Sequence, residues 1–157
     1  MNGTRREVLK AGGGATLLSL AVAAGWLSPD DARAADWNKA AFETRSLDET
    51  IKAVGGSAAA PSINITFFAT PDIAENGAVV PIGVTSTIPK TESIAILIEK
   101  NPNMLAASFD IPAGTDPAIS TRVKMGQSSN VYALEKADGK FYVASKEIKV
   151  TLGGCGG

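Results

Sequence analysis

The sequence contains no histidine and only one cysteine, Cys155. Without an imidazole there is no Ser-His or Cys-His catalytic pair. A single thiol also excludes an internal disulfide, and with no histidine beside it, a His/Cys metal site. Net charge is nearly absent too: 15 Lys and Arg face 16 Asp and Glu, for a formal charge of -1. That gives no basic footprint for a nucleic acid. Carboxylates are present but not paired by spacing. Asp72 and Glu75 flank one loop, Asp110 and Asp116 sit near turns, and surface or turn roles account for each. These absences remove most familiar enzyme chemistry. What remains is 157 residues with 45% apolar content, enough for one domain with its own core.

Residues 1–34 read as an export signal. Arg5-Arg6 and Lys10 precede a mildly apolar run from Ala11 to Leu27, and Ala32-Arg33-Ala34 is a small-x-small cleavage site. Thr4-Arg5-Arg6-Glu7-Val8-Leu9-Lys10 resembles the twin-arginine motif, with Val8 where Phe or Leu is commoner. The apolar run falls short of the ~20 residues that span a bilayer. We therefore expect cleavage near Ala35, a periplasmic product and no stable membrane association. No cysteine follows the run to accept a lipid. Twin-arginine export carries folded proteins, which implies assembly beforehand with either a cofactor or a partner subunit. No ligand set for a cofactor is present, so a partner is favoured. The exported chain would carry eleven Lys/Arg against thirteen Asp/Glu.

Residues 35–56 carry helix signals. Asp36 is a candidate cap for Trp37 to Arg45, Ser46-Leu47-Asp48-Glu49 is a capping-box pattern, and Leu47, Ile51 and Val54 recur on one helical face before Gly55-Gly56. One amphipathic helix in one or two pieces is expected, with Trp37 and Phe42 as packing residues. From Ser62 the period changes to two. Ile63-Ile65-Phe67, Val80-Ile82-Val84, Ile94-Ile96-Ile98, Ala107-Phe109-Ile111, Ile119 to Met125, Val131 to Lys136 and Phe141-Val143 give about seven short strands. Asn76-Gly77 and Asp138-Gly139 are hairpin-type dipeptides, and prolines punctuate the runs. The fold expected for 57–150 is a mainly β, immunoglobulin-like antiparallel sandwich, with Ser57 to Pro61 as a connector. Pro81 removes an amide donor, so its strand is expected at an edge or a bulge, where it pairs with a partner sheet or blunts the edge against aggregation.

Residues 151–157 are different in kind. Cys155 stands between Gly153-Gly154 and Gly156-Gly157, a stretch with nothing to bury and therefore expected as a mobile C-terminal arm. From Thr151 to Cys155 the extended chain reaches ~13–14 Å at ~3.3–3.6 Å per residue. Bulky neighbours would stop such a thiol from entering a narrow pocket of another protein. Nothing near it in sequence activates the thiolate, since Lys146 and Lys149 belong to the domain. Activation is expected from whatever pocket receives it.

The Gly153-Gly154-Cys155-Gly156-Gly157 ending, behind a twin-arginine signal and a helix-then-strands domain, resembles the SoxY family. These are the sulfur-carrier subunits of the periplasmic Sox thiosulfate-oxidation system. Ile73 to Thr87 is similar to that family's early strand region. The resemblance implies an immunoglobulin-like sandwich, a heterodimer with a SoxZ-like subunit exported with it, and Cys155 as the covalent sulfur attachment point on its glycine arm. It further implies a SoxAX cytochrome that joins thiosulfate to the thiol, a SoxB manganese hydrolase that releases sulfate, and, where present, a SoxCD sulfur dehydrogenase. The carrier itself would be no enzyme and hold no cofactor.

Two other readings stand beside this one. Gly-Gly endings occur in thiocarboxylate carriers of β-grasp type, but these use ATP, and the strand count here exceeds that fold. A non-catalytic periplasmic immunoglobulin-like assembly subunit, with Cys155 forming an inter-chain disulfide, is the other.

Overall fold

The computed structural model describes residues 38–151; residues 1–37, which take in the signal segment, Asp36 and Trp37, and residues 152–157 lie outside the described residues. Two short helices open the domain. Asn38 caps α1 (Lys39–Phe42) by accepting from the Ala41 amide at 3.1 Å. Ser46 caps α2 (Leu47–Ala53), its hydroxyl accepting from the Glu49 amide at 3.2 Å. The Glu49 carboxylate reaches back to the Arg45 amide at 3.0 Å, so the expected reciprocal cap closes one residue early. At the other end Gly55, at φ 90, lets Gly56 N–H reach Ile51 C=O at 2.7 Å and its own N–H reach Lys52 C=O at 3.0 Å. This 6→1 and 5→2 pairing stops the helix where the Gly-Gly pair predicts.

Nine strands follow: β1 (Ala59–Pro61), β2 (Ile65–Phe68), β3 (Ile73–Ala74), β4 (Val80–Ser86), β5 (Thr91–Ile98), β6 (Leu105–Asp110), β7 (Ala118–Val123), β8 (Ser129–Ala137) and β9 (Lys140–Val150). One sheet runs β1-β9-β8-β5-β6, with β3 also paired to β9; the other runs β2-β4-β7. The architecture is an immunoglobulin-like β-sandwich with N-terminal helices. Seven of its strands are those that the period-two runs predict. The other two, β1 and β3, are short parallel additions on the side of β9 away from β8. The expected Ser57 to Pro61 connector thus ends in a strand.

The alternating residues Val80, Ile82, Val84, Ile94, Ile96, Ile98, Val131 and Ala133 meet between the sheets and are buried. Each aliphatic side chain taken fully out of water contributes roughly 1.5–3 kcal/mol. On the outer face of the larger sheet, Ala95, Leu97, Leu105, Leu134 and Phe141 pack against Ala41 and Ile51 of the helices. The central strand β5 is therefore buried on both faces from Ile94 to Ile98.

Two expectations need correction. β4 lies in the middle of its sheet and is not an edge. Pro81 is tolerated there because β2 pairs with β4 only from Gly83 to Ser86, while β7 pairs from Val80. The Gly83 amide points to the β2 side, where it donates to Thr70 Oγ1 at 3.0 Å. Two residues earlier the proline nitrogen faces the same way, beyond the end of β2, so its missing donor leaves no ladder bond unmade. Asn76-Gly77 is not a hairpin either: it lies in the crossing from β3 in one sheet to β4 in the other, where Asn76 Oδ1 accepts from the Ala78 amide at 2.8 Å. Asp138-Gly139 does form the β8–β9 hairpin, with φ of 49 and 72.

Candidate functional site

Cys155 and its neighbours Gly153, Gly154, Gly156 and Gly157 lie outside the described residues. What the structure describes is the platform from which they depart. β9 is the longest strand, and its last amides are secured on alternating sides. Lys149 N–H donates to Asp72 C=O at 2.9 Å and Thr151 N–H to Ala74 C=O at 3.1 Å, both toward β3. Val150 N–H points the other way, toward β8, and donates to Ser128 Oγ at 2.8 Å. The Thr151 hydroxyl adds a bond to Glu75 C=O at 3.2 Å.

The Ser128 contact has a clear local cause. The β8–β9 ladder pairs Ala133 with Ala144, Val131 with Lys146 and Ser129 with Ile148, so Val150 would next face residue 127. β8 begins only at Ser129. The chain before it turns away toward Asn101, whose amide group donates to Lys124 C=O at 2.7 Å and accepts from Gly126 N–H at 3.3 Å. A serine side chain thus supplies the acceptor that the missing strand residue would have given. Thr151, the first residue of the expected arm, is still bonded to the domain.

Lys146 bears on this root only through Asp72. Its side chain faces into the sandwich and its ammonium donates to Thr70 C=O at 2.6 Å, with Asp72 at 3.0 Å. Pairing to β9 on the β1/β3 side leaves out residues 144–148, and an inward lysine there discourages another strand from adding to that edge. Among the described residues no three His, Cys, Asp or Glu side chains are grouped to hold a metal ion.

Two clefts lie at the opposite end of the sandwich. One, of about 650 Å³, runs between Ser86–Glu92 and Ile111–Pro117; the other, of about 620 Å³, lies between Gly55–Ala60 and Gly139–Tyr142. The length of β9 separates Tyr142 and the hairpin from Thr151 by about 30 Å at ~3.3 Å per residue. That is more than twice the ~13–14 Å that the chain from Thr151 to Cys155 can span. A thiol so tethered cannot use either cleft of its own domain.

The sequence matches the family described as sulfur oxidation protein SoxY over residues 51–155, a span that begins in α2 and runs through to Cys155. The chain belongs to the SoxY family. Among solved structures it is similar to the sulfur carrier protein SoxY from Chlorobium limicola f thiosulfatophilum, at 38% identity and a TM-score of 0.61, over 68% of this chain and 96% of that one. It also matches a superoxide reductase (neelaredoxin) variant from Ignicoccus hospitalis at 19% identity and a TM-score of 0.48, over 55% of this chain and 79% of that one. No curated protein matches the sequence. At the root of this segment, what sequence reasoning did not foresee is that Ser128 and Thr151 bond the end of β9 to the domain. Their only sequence signal is a hydroxyl residue at each end of a loop-and-strand unit, too common a pattern to single them out.

Proposed function

We propose that this SoxY-family chain carries sulfur intermediates of thiosulfate oxidation covalently on Cys155, held out from the sandwich on the Gly153-Gly154 and Gly156-Gly157 arm. The observation that carries the reading is the family match running through to Cys155, in a chain with no other cysteine and no histidine. The geometry supports it: β9 terminates at the end of the domain opposite the two clefts described above, which favours a group on another protein as the one that acts on the thiol.

The chemistry balances with one thiolate. Thiosulfate and the Cys155 thiolate form a disulfide bond, giving a thiosulfonate adduct and releasing two electrons to a SoxAX-like haem partner. Water then cleaves the terminal sulfur–sulfur bond at a SoxB-like hydrolase; sulfate and two protons leave, and a persulfide remains on Cys155. Three waters and the loss of six electrons and six protons, at a SoxCD-like dehydrogenase, convert its outer sulfur to a sulfonate. A second hydrolysis releases sulfate and restores the thiolate. The chain itself contributes the sulfur and its reach. A SoxZ-like subunit is its proposed heterodimer partner, and twin-arginine export to the periplasm is its proposed route.

Cys155→Ser is expected to abolish thiosulfate-dependent electron transfer in the reconstituted system while leaving partner binding intact. Intact-mass measurement of the protein from thiosulfate-grown cells is expected to find sulfane or thiosulfonate on the peptide containing Cys155. Adducts on the terminal carboxylate would favour a thiocarboxylate carrier. Disulfide-linked chains with no sulfur adduct would favour an assembly subunit.

A further inference from the structure

We propose that Ser128 and Thr151 are positioning residues that fix where the carrier arm begins and so set the reach of the Cys155 thiol. The inference rests on the carrier reading above, but its observations are separate from it. Ser128 Oγ takes the Val150 amide at 2.8 Å in the place where β8 has run out, and Thr151 places its amide on Ala74 C=O and its hydroxyl on Glu75 C=O. Together with the Lys149 bond to Asp72 C=O, these contacts hold three consecutive residues from both sides.

The next firm anchor behind them is Ile148, fully buried in the sandwich core. With the clamp closed, four Cα–Cα links separate Thr151 from Cys155 and the reach is ~13–14 Å. With the clamp open the origin retreats toward Ile148, and the same thiol sits on seven links with a reach of ~23–25 Å. A longer tether dilutes the thiol at a recipient pocket. The effective concentration falls as about the −3/2 power of length, roughly twofold here. The clamp therefore trades reach for local concentration.

The residues at stake are partly exposed and outside the sandwich core, so the test variants retain the fold. Ser128→Ala with Thr151→Val removes both side-chain partners. In this double variant we expect amide hydrogen exchange at residues 150 and 151 to accelerate about tenfold or more, with Ile148 unchanged, because local opening sets exchange. Reaction of Cys155 with a small disulfide reagent should match the wild type, since that needs no positioned arm. In the reconstituted thiosulfate-oxidising system the kcat/KM should fall about twofold to threefold through KM.

The discriminating experiment combines this variant with deletion of Gly153-Gly154. In the wild-type background the deletion leaves ~7 Å of reach, and turnover should fall at least about tenfold. In the double variant residues 149–151 keep only their backbone bonds to Asp72 and Ala74 C=O, open more readily and can pay out, so the same deletion should cost no more than about threefold. Equal losses in both backgrounds would overturn the proposal, as would unchanged exchange at residues 150 and 151. If instead Cys155→Ser still supports turnover, the carrier reading fails whatever the clamp variants do.

Discussion

Glu135 is the most unusual single residue of the domain. It lies on the inward face of β8 with no exposure, one carboxyl oxygen on Thr91 Oγ1 and the other without a partner among the described residues. The Thr91 hydroxyl has one proton to give and also sits 2.9 Å from Ile88 C=O, so it has an alternative acceptor. A half-satisfied polar group in a core is worse than a well-packed apolar one. Glu135→Met is therefore expected to stabilise the domain by about 1–2 kcal/mol, seen as a higher urea midpoint at unchanged slope. A lower midpoint would mean that the second oxygen has a partner in solution. At this scale the sequence singles out Cys155 as the one thiol in a chain without histidine, a position that lies outside the described residues. It was silent about Glu135, whose burial depends on the strand pairing of β8 with β5 and β9.

Among the elements, the β8–β9 hairpin is held by more than its turn. Glu92 at the start of β5 sits 2.7 Å from the Lys136 ammonium and accepts from the Gly139 amide at 3.1 Å. The hydrogen bond from Lys136, and then that from Gly139, hold its carboxyl below the ordinary value of 4.5. A carboxyl lowered on folding contributes stability that is present above its unfolded value and lost as pH falls through the lower folded one. Glu92→Gln should therefore lower the melting temperature slightly at pH 7, and the difference from wild type should vanish as the pH drops below the range of free carboxylates. A thermal-melt series on both proteins from pH 7 to pH 3 checks this. The hairpin itself was legible from Asp138-Gly139, as were the seven main strands from their alternation. What alternation could not convey is Ala95 and Leu97. They read as the outward set of β5 until the helices cover that face. Pro81 misled for a related reason: its effect depends on where β2 stops, a property of another strand.

For the whole molecule, the carrier reading makes the sandwich a handle and the arm the working part. Gly156→Trp should leave the melting temperature unchanged, because position 156 lies beyond the end of β9 at Val150, and should strongly reduce thiosulfate-dependent electron transfer by blocking passage into a narrow pocket. Normal turnover by this variant would remove the argument for glycine around the thiol. The parallel pairs on β9 carry a different consequence, one of timing. β1 and β3 are among the first strands made, yet their partners are residues 141–143 and 149–150, near the end of the described chain. Contacts so distant in sequence form late, after the entropy of closing a long loop has been overcome. During synthesis the early strands must wait for the last one, and β9 completes the larger sheet only after nearly all of the domain has been made. On the carrier reading, the strand that secures the fold is also the one from which the thiol is presented, so a chain whose Val150 and Thr151 are locked in place is one whose folding has finished.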